Sequence, residues 1–155
     1  MRSWNTLSPV PLGVGRWAFT KAVCVKAPYF GSMHPSVLAV TPGRAEVKVP
    51  NRRRVHNHIR TVHAIAMCNA AEMAMGVAGE AAIPPSHRWI PAGMTVKYLA
   101  RAETDVIATA ELPMDAWPPA EAANVDVPVS VRDAGGTEVC AATITIRVSP
   151  KPARS

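Results

Sequence analysis

Hydrophobic and polar positions along the chain change rhythm several times, and each change marks an element. The stretch from about Gly15 to Ala27, ended by Pro28, reads as a short N-terminal helix. Most of the aromatic residues lie in this first part, among them Trp4, Trp17, Phe19, Tyr29 and Phe30. After Ser36 the pattern becomes that of strands: Val37-Leu38-Ala39-Val40, a turn at Thr41-Pro42-Gly43-Arg44, then Ala45, Val47 and Val49 alternating against Glu46 and Lys48. The segment from Pro50 to Thr61 is polar and basic. From Val62 to Ala82 the chain is dominated by Ala, Met, Ile and Val, with Thr61 placed as an N-cap and Pro84-Pro85 as the stop. This is the long helix. Asn69 and Glu72 are its strongly polar side chains between Ala64 and Gly79, so it is expected to be buried and wrapped by the rest of the chain. Arg88 to Leu99, Asp105 to Leu112, Asn124 to Arg132 and Glu138 to Val148 read as four further strands, the last two joined at Asp133-Ala134-Gly135-Gly136. The sum is an α+β domain: an antiparallel sheet curled around one central helix, with a short helix before it. Residues 1–35 form the N-terminal helical segment, 36–149 the core and 150–155 a loose basic tail.

Composition narrows the picture without changing it. A chain of 155 residues, 48% apolar and 18% charged, is expected to fold as one domain without staples. No apolar run is long enough to span a bilayer, and Val10 to Gly15 is too short and too broken for a secretory signal, so a cytoplasmic address is expected. Cys24, Cys68 and Cys140 are widely spaced and form no CxxC pair; they read as buried thiols. The net charge of +6 suits an anionic partner. Nucleic acid is disfavoured, since aromatic stacking platforms are few, whereas a nucleotide-bearing anion such as coenzyme A fits the same charge.

The informative stretch is Asn57-His58-Ile59-Arg60-Thr61-Val62-His63-Ala64, with Glu72 nine residues beyond His63. Nine residues at about 100° each put His63 and Glu72 on opposite sides of one helix, roughly 13 Å apart along its axis. If both serve one site, a second copy of the helix must lie antiparallel beside the first, which predicts a homodimer. Each residue also has a plainer role: His63 as a helix cap, Asn57 as a turn organiser, Glu72 in an ion pair or interface hydrogen bond. His56, His58, His63 and Glu72 lack the spacing of a helical zinc motif, so no metal is expected. Cys68 shares the face of Glu72 but suits core packing better. Met67, Met73 and Met75 fit either a core or a pliable pocket lining.

Order and motif together resemble the hotdog superfamily of acyl-CoA thioesterases, in the branch of phenylacetic-acid thioesterases and the DUF4442 group. The likeness is carried by Ala27-Pro28-Tyr29-Phe30, Thr41-Pro42-Gly43, Asn51-Arg52-Arg53, Asn57-His58-Ile59, Thr61-Val62-His63-Ala64, Glu72 and Val96-Lys97-Tyr98-Leu99. It implies a hotdog fold and hydrolysis of an acyl-CoA or similar thioester. Glu72 would act from the neighbouring subunit as nucleophile or as general base for water. Asn57 and His63 would orient water or substrate, and the Ala64 backbone N–H at the helix start would polarise the carbonyl. No cofactor is implied beyond the coenzyme A of the substrate, whose phosphates Arg52, Arg53 and Arg54 could hold if they are not simply solvated. Where that branch has glycines the chain has Ala64 and Ile65, and where close relatives have glycine it has Arg60, a large charged residue beside the proposed site. These departures leave a second reading open, a non-catalytic dimer that binds an acyl or aromatic ligand. A hydratase on the same fold would need an Asp at the helix start that is missing. Acyl chain length, the carrier (coenzyme A or acyl carrier protein) and dimer against tetramer stay open.

Overall fold

A computed structural model describes residues 12–115 and 117–152. Helix α1 (Leu12–Lys26) leads through a 3-10 turn (Pro28–Met33) into strands β1 (Ser36–Thr41) and β2 (Arg44–Val49). A second 3-10 turn (Arg53–Val55) precedes α2 (Ala64–Ala82), followed by β3 (His87–Tyr98), β4 (Val106–Glu111), β5 (Ala123–Asp133) and β6 (Glu138–Pro150). All six strands join one sheet in the order β1-β2-β4-β5-β6-β3, with every neighbouring pair antiparallel. The expected succession of elements is present. Gly43, at a φ of 80°, supplies the left-handed residue that lets Pro42-Gly43 close the first hairpin.

The core is one cluster between the concave face of the sheet and α2. From α2 it takes Met67, Ala70, Ala71, Met73, Ala74, Met75 and Ala78, all at most 4% exposed. Small side chains let the helix lie close to β2 and β4, its principal neighbours. Alternate residues Val127, Val129 and Val131 of β5 and Ile144, Ile146 and Val148 of β6 close the same core, as period-2 alternation requires.

Three expectations are corrected. The N-cap of α2 is His63 rather than Thr61: the chain is still extended at His63, and its Nδ1 accepts the Ile65 N–H at 3.0 Å. The Thr61 hydroxyl instead receives the Asn57 amide at 2.7 Å. Burial of the thiols holds for Cys140 alone, since Cys24 and Cys68 are only half-buried. The segment expected as a loose tail begins inside structure: Pro150 ends β6, and the Lys151 N–H and ammonium reach the carbonyls of Ser86 and Pro85. Residues 153–155 and Trp4 lie outside the described residues.

Thr20 fastens helix α1 to the edge strand β1. The buried Thr20 hydroxyl donates to the Arg16 carbonyl at 2.8 Å and accepts the Val37 N–H at 3.0 Å. Thr20→Val keeps the shape and strands that buried N–H. It is expected to lower unfolding stability by about 1–3 kcal/mol, seen as a lower urea midpoint at unchanged m-value.

Candidate functional site

Between Ile65 and Gly79, only Ile65, Cys68, Asn69, Glu72 and Gly76 escape full burial. Their spacing of three and four residues makes them a single stripe along α2. It faces the gap between α2 and β3, where the helix makes few contacts. Tyr98 of β3 closes one end of the gap through its hydroxyl, 3.2 Å from the Cys68 thiol. That hydrogen bond, more than burial, pushes the Tyr98 phenol up to about 12, so it stays neutral at any ordinary pH. Trp89 closes the other end over Gly76 and Gly79; a Cβ at Gly79 would lie 3.5 Å from the indole. Asn69 reaches across to the Tyr29 hydroxyl at 3.1 Å. Glu72 sits between these contacts, half-buried, with no hydrogen bond or ion pair to its carboxylate among the described residues.

Strand β3 itself is uncovered. It is an outer strand of 12 residues, paired on one side only with β6. Ile90, Met94 and Tyr98 are 63%, 38% and 52% exposed, and Ile65 on the Glu72 stripe is 52% exposed. Met94 pairs with the buried Ile144 and Tyr98 with the buried Cys140, which places both on the face turned toward α2. Such a long edge presents apolar side chains and open backbone groups on its outer side.

The loop before α2 is held by Asn57. Its Oδ1 accepts the N–H groups of Ile59 and Thr61 at 3.1 and 3.0 Å, while its Nδ2 donates to Thr61 Oγ1. Backbone bonds from Asn57 N–H to the Thr61 carbonyl and from Arg60 N–H to the Asn57 carbonyl tighten the same turn. Arg60 takes a φ of 65°, the left-handed conformation that favours glycine, so the loop keeps its shape at the cost of local strain. With His63 capping Ile65, the Ala64 N–H is left without a partner among the described residues, at the positive end of α2. A cavity of about 210 Å³ beside it is lined by Arg54, His56, His63, Ile65 and Asn69, and His56 Nε2 there is buried without a partner.

The residues singled out by sequence are thus divided. Asn57, His63, Ala64 and Arg60 are brought together at the start of α2, while Glu72 of the same chain stands two turns along on the open stripe. Arg52 and Arg54 line different cavities, and Arg53 lines neither. Sequence reasoning missed Trp89, a lone aromatic in a strand, and weighed His56 only as a metal ligand, since its burial beside the start of α2 depends on a loop path that spacing does not show. Among the described residues no helix is long and apolar enough to cross a membrane, and no three His, Cys, Asp or Glu side chains are grouped to hold a metal.

Comparison with known proteins agrees with this architecture. A protein known from a genomics crystal structure is 42% identical, with 97% of each chain covered and a TM-score of 0.81. A Pseudomonas aeruginosa protein of unknown function, described as a probable thioesterase, is 17% identical over 92% of this chain and 97% of its own, with a TM-score of 0.77. A mutant thioesterase enzyme from Staphylococcus aureus is 14% identical over 79% of this chain and 98% of its own, with a TM-score of 0.69. At such identities the last two show the shared hotdog fold. No curated protein matches the chain. The match of the family model to residues 15–148, together with the 42% relative, places this chain in the DUF4442 family, a domain of unknown function.

Proposed function

We propose that the chain is a thioester hydrolase acting on acyl-CoA-type substrates, as a homodimer whose sites lie between the subunits. The observation that carries this reading is the Glu72 carboxylate, without a partner among the described residues, on the open stripe of α2 beside an edge strand paired on one side only. Pairing two β3 strands about a two-fold axis would extend the sheet and lay the α2 helices antiparallel. Each Glu72 would then face the partner's helix start.

The substrate carbonyl is set on the Ala64 N–H, where the helix end stabilises the developing oxyanion. Glu72 from the other subunit takes a proton from water, and the resulting hydroxide attacks the carbonyl carbon. Collapse of the tetrahedral intermediate breaks the C–S bond, and the thiolate leaves to be protonated by solvent. Glu72 attack on the carbonyl itself, followed by hydrolysis of the anhydride, gives the same products. Asn57 serves by holding the loop that aims the Ala64 amide, His63 by fixing the first turn of α2, and Arg54 by meeting a phosphate of the carrier. Fold neighbours described as thioesterases support the reaction class. The strained Arg60 and the exposed Ile65 at the mouth favour the second reading, ligand binding without turnover.

Thiol release from short, medium, long and aromatic acyl-CoAs tests the proposal. Glu72→Ala is expected to lower kcat by about 10²-fold or more with the dimer intact; full activity in that variant removes the mechanism, and wild type that binds every acyl-CoA without turnover leaves the binding reading. The assembly is checked by sedimentation equilibrium: the 16.5 kDa chain is expected at twice its mass, and Met94→Asp is expected to yield monomer without activity. Asn57→Ala is expected to cost about 1–2 kcal/mol of stability in chemical denaturation, since it deprives two N–H groups of their acceptor, and Asn57→Asp, which keeps both acceptors, should recover most of it.

A further inference from the structure

Beta strands β1 and β3 are the opposite edges of the sheet, and α1 lies on β1. A cleft of about 550 Å³ opens there between α1, the start of β1 and the segment after β2. Four permanent cations line it: Arg16 and Lys21 from α1, Lys48 from β2 and Arg52 from the loop. The lining includes one carboxylate, Asp105, and it is already engaged: Oδ2 lies 2.7 Å from the Lys48 ammonium and Oδ1 accepts the Asn51 N–H at 2.8 Å. Those two bonds, with a smaller contribution from the nearby Arg52 charge, hold the Asp105 carboxyl below the usual carboxylate range. Arg16 and Arg52 have no hydrogen bond or ion pair to their guanidinium groups among the described residues.

Like charges gathered in a concave site repel one another and concentrate a positive potential, which an entering anion relieves. Arginine adds geometry, because its planar fork matches the oxygens of a phosphate. The cleft also has a flat apolar wall. Trp17, one turn from Lys21 on α1, is 63% exposed, with the Lys21 ammonium 5.9 Å from its ring centroid. An exposed indole beside phosphate-binding cations is the arrangement on which a nucleobase stacks. The wall is fixed in place, since Thr20 ties α1 to β1 directly behind it.

We propose that this cleft binds a nucleoside diphosphate group, with the phosphates on Arg16 and Arg52 and the base stacked on Trp17. Free nucleotides and the nucleotide end of coenzyme A share that chemistry. The inference is independent of the hydrolytic reading, because neither Glu72 nor the start of α2 contributes to the cleft.

Isothermal titration of the full chain at low ionic strength with ADP, coenzyme A and inorganic pyrophosphate tests it. ADP is expected to bind more tightly than pyrophosphate. The double variant Arg16→Ala/Arg52→Ala should weaken ADP binding about tenfold or more, and Trp17→Leu about fivefold or more. The charge-matched control Arg132→Ala/Arg147→Ala, on exposed arginines elsewhere on the sheet, should stay within about twofold of wild type. Arg52→Ala alone, outside α1, carries the test if the double variant disturbs that helix. Coenzyme A binding more tightly than ADP identifies the carrier of a thioester as the source, and ADP binding as well or better identifies a free nucleotide. The proposal is overturned if neither ligand binds, if the control loses as much affinity as the cleft variant, or if Trp17→Leu binds ADP like wild type.

Discussion

The structure depends on burying a helix that has almost no polar surface of its own. An isolated α2 would hold its apolar, alanine-rich surface in water, and only a sheet curved around it can cover so much of its circumference. Small residues set the distance: with alanine at positions 66, 70, 71, 74 and 78, strands β2 and β4 approach the helix closely, and Met67, Met73 and Met75 fill the remaining space. The antiparallel order β1-β2-β4-β5-β6-β3 follows from wrapping one element with one sheet, because the helix connects the hairpin on one edge to the strand on the other.

The same wrap is incomplete, and its incompleteness creates the surface on which the proposed site stands. Beta strand β3 is the edge of the sheet beyond β6 and α2 scarcely touches it, so a stripe of the helix and the inner face of β3 remain open together. A carboxylate in the middle of an apolar helix would be costly in a closed core, yet on this stripe Glu72 keeps access to water or to a partner. The loop before α2 belongs to the same economy of placement. Asn57 binds the turn, His63 caps the helix, and the next amide, at Ala64, is left to point outward. Arg60, held at a φ of 65°, is a local strain that this surrounding network sustains.

Electrostatics are arranged by region. The excess of basic residues recorded in the composition does not gather at the Arg52-Arg53-Arg54 run, which the 3-10 turn disperses. Instead Arg52 joins cations from α1 and β2, brought together by the packing of α1 on β1. Asp105 pairs with Lys48, anchors the Asn51 amide and feels the charge of Arg52, so one carboxylate stands against the four cations of that cleft.

Periodicity and turn chemistry were enough, read from the sequence, to define the class of fold, the number and order of strands and the central helix, because alternation in β2, β5 and β6 and the apolar run of α2 are local records of which face is buried. The Asn57, His63 and Glu72 pattern was legible as a spacing, but what each side chain does was not. The cap passed to His63 because the backbone is still extended there, a property of the loop path. Asn57 turned out to hold the loop because its neighbours at 59 and 61 fold back upon it. Likewise the exposure of β3, the covering of Gly76 and Gly79 by Trp89, and the meeting of Arg16, Trp17 and Arg52 join residues far apart in the chain. Sequence by itself determined which surfaces must be hidden, since hydrophobicity is a property of each residue; tertiary structure alone decided which of them were left uncovered and which charges met there, since that depends on how distant segments pack.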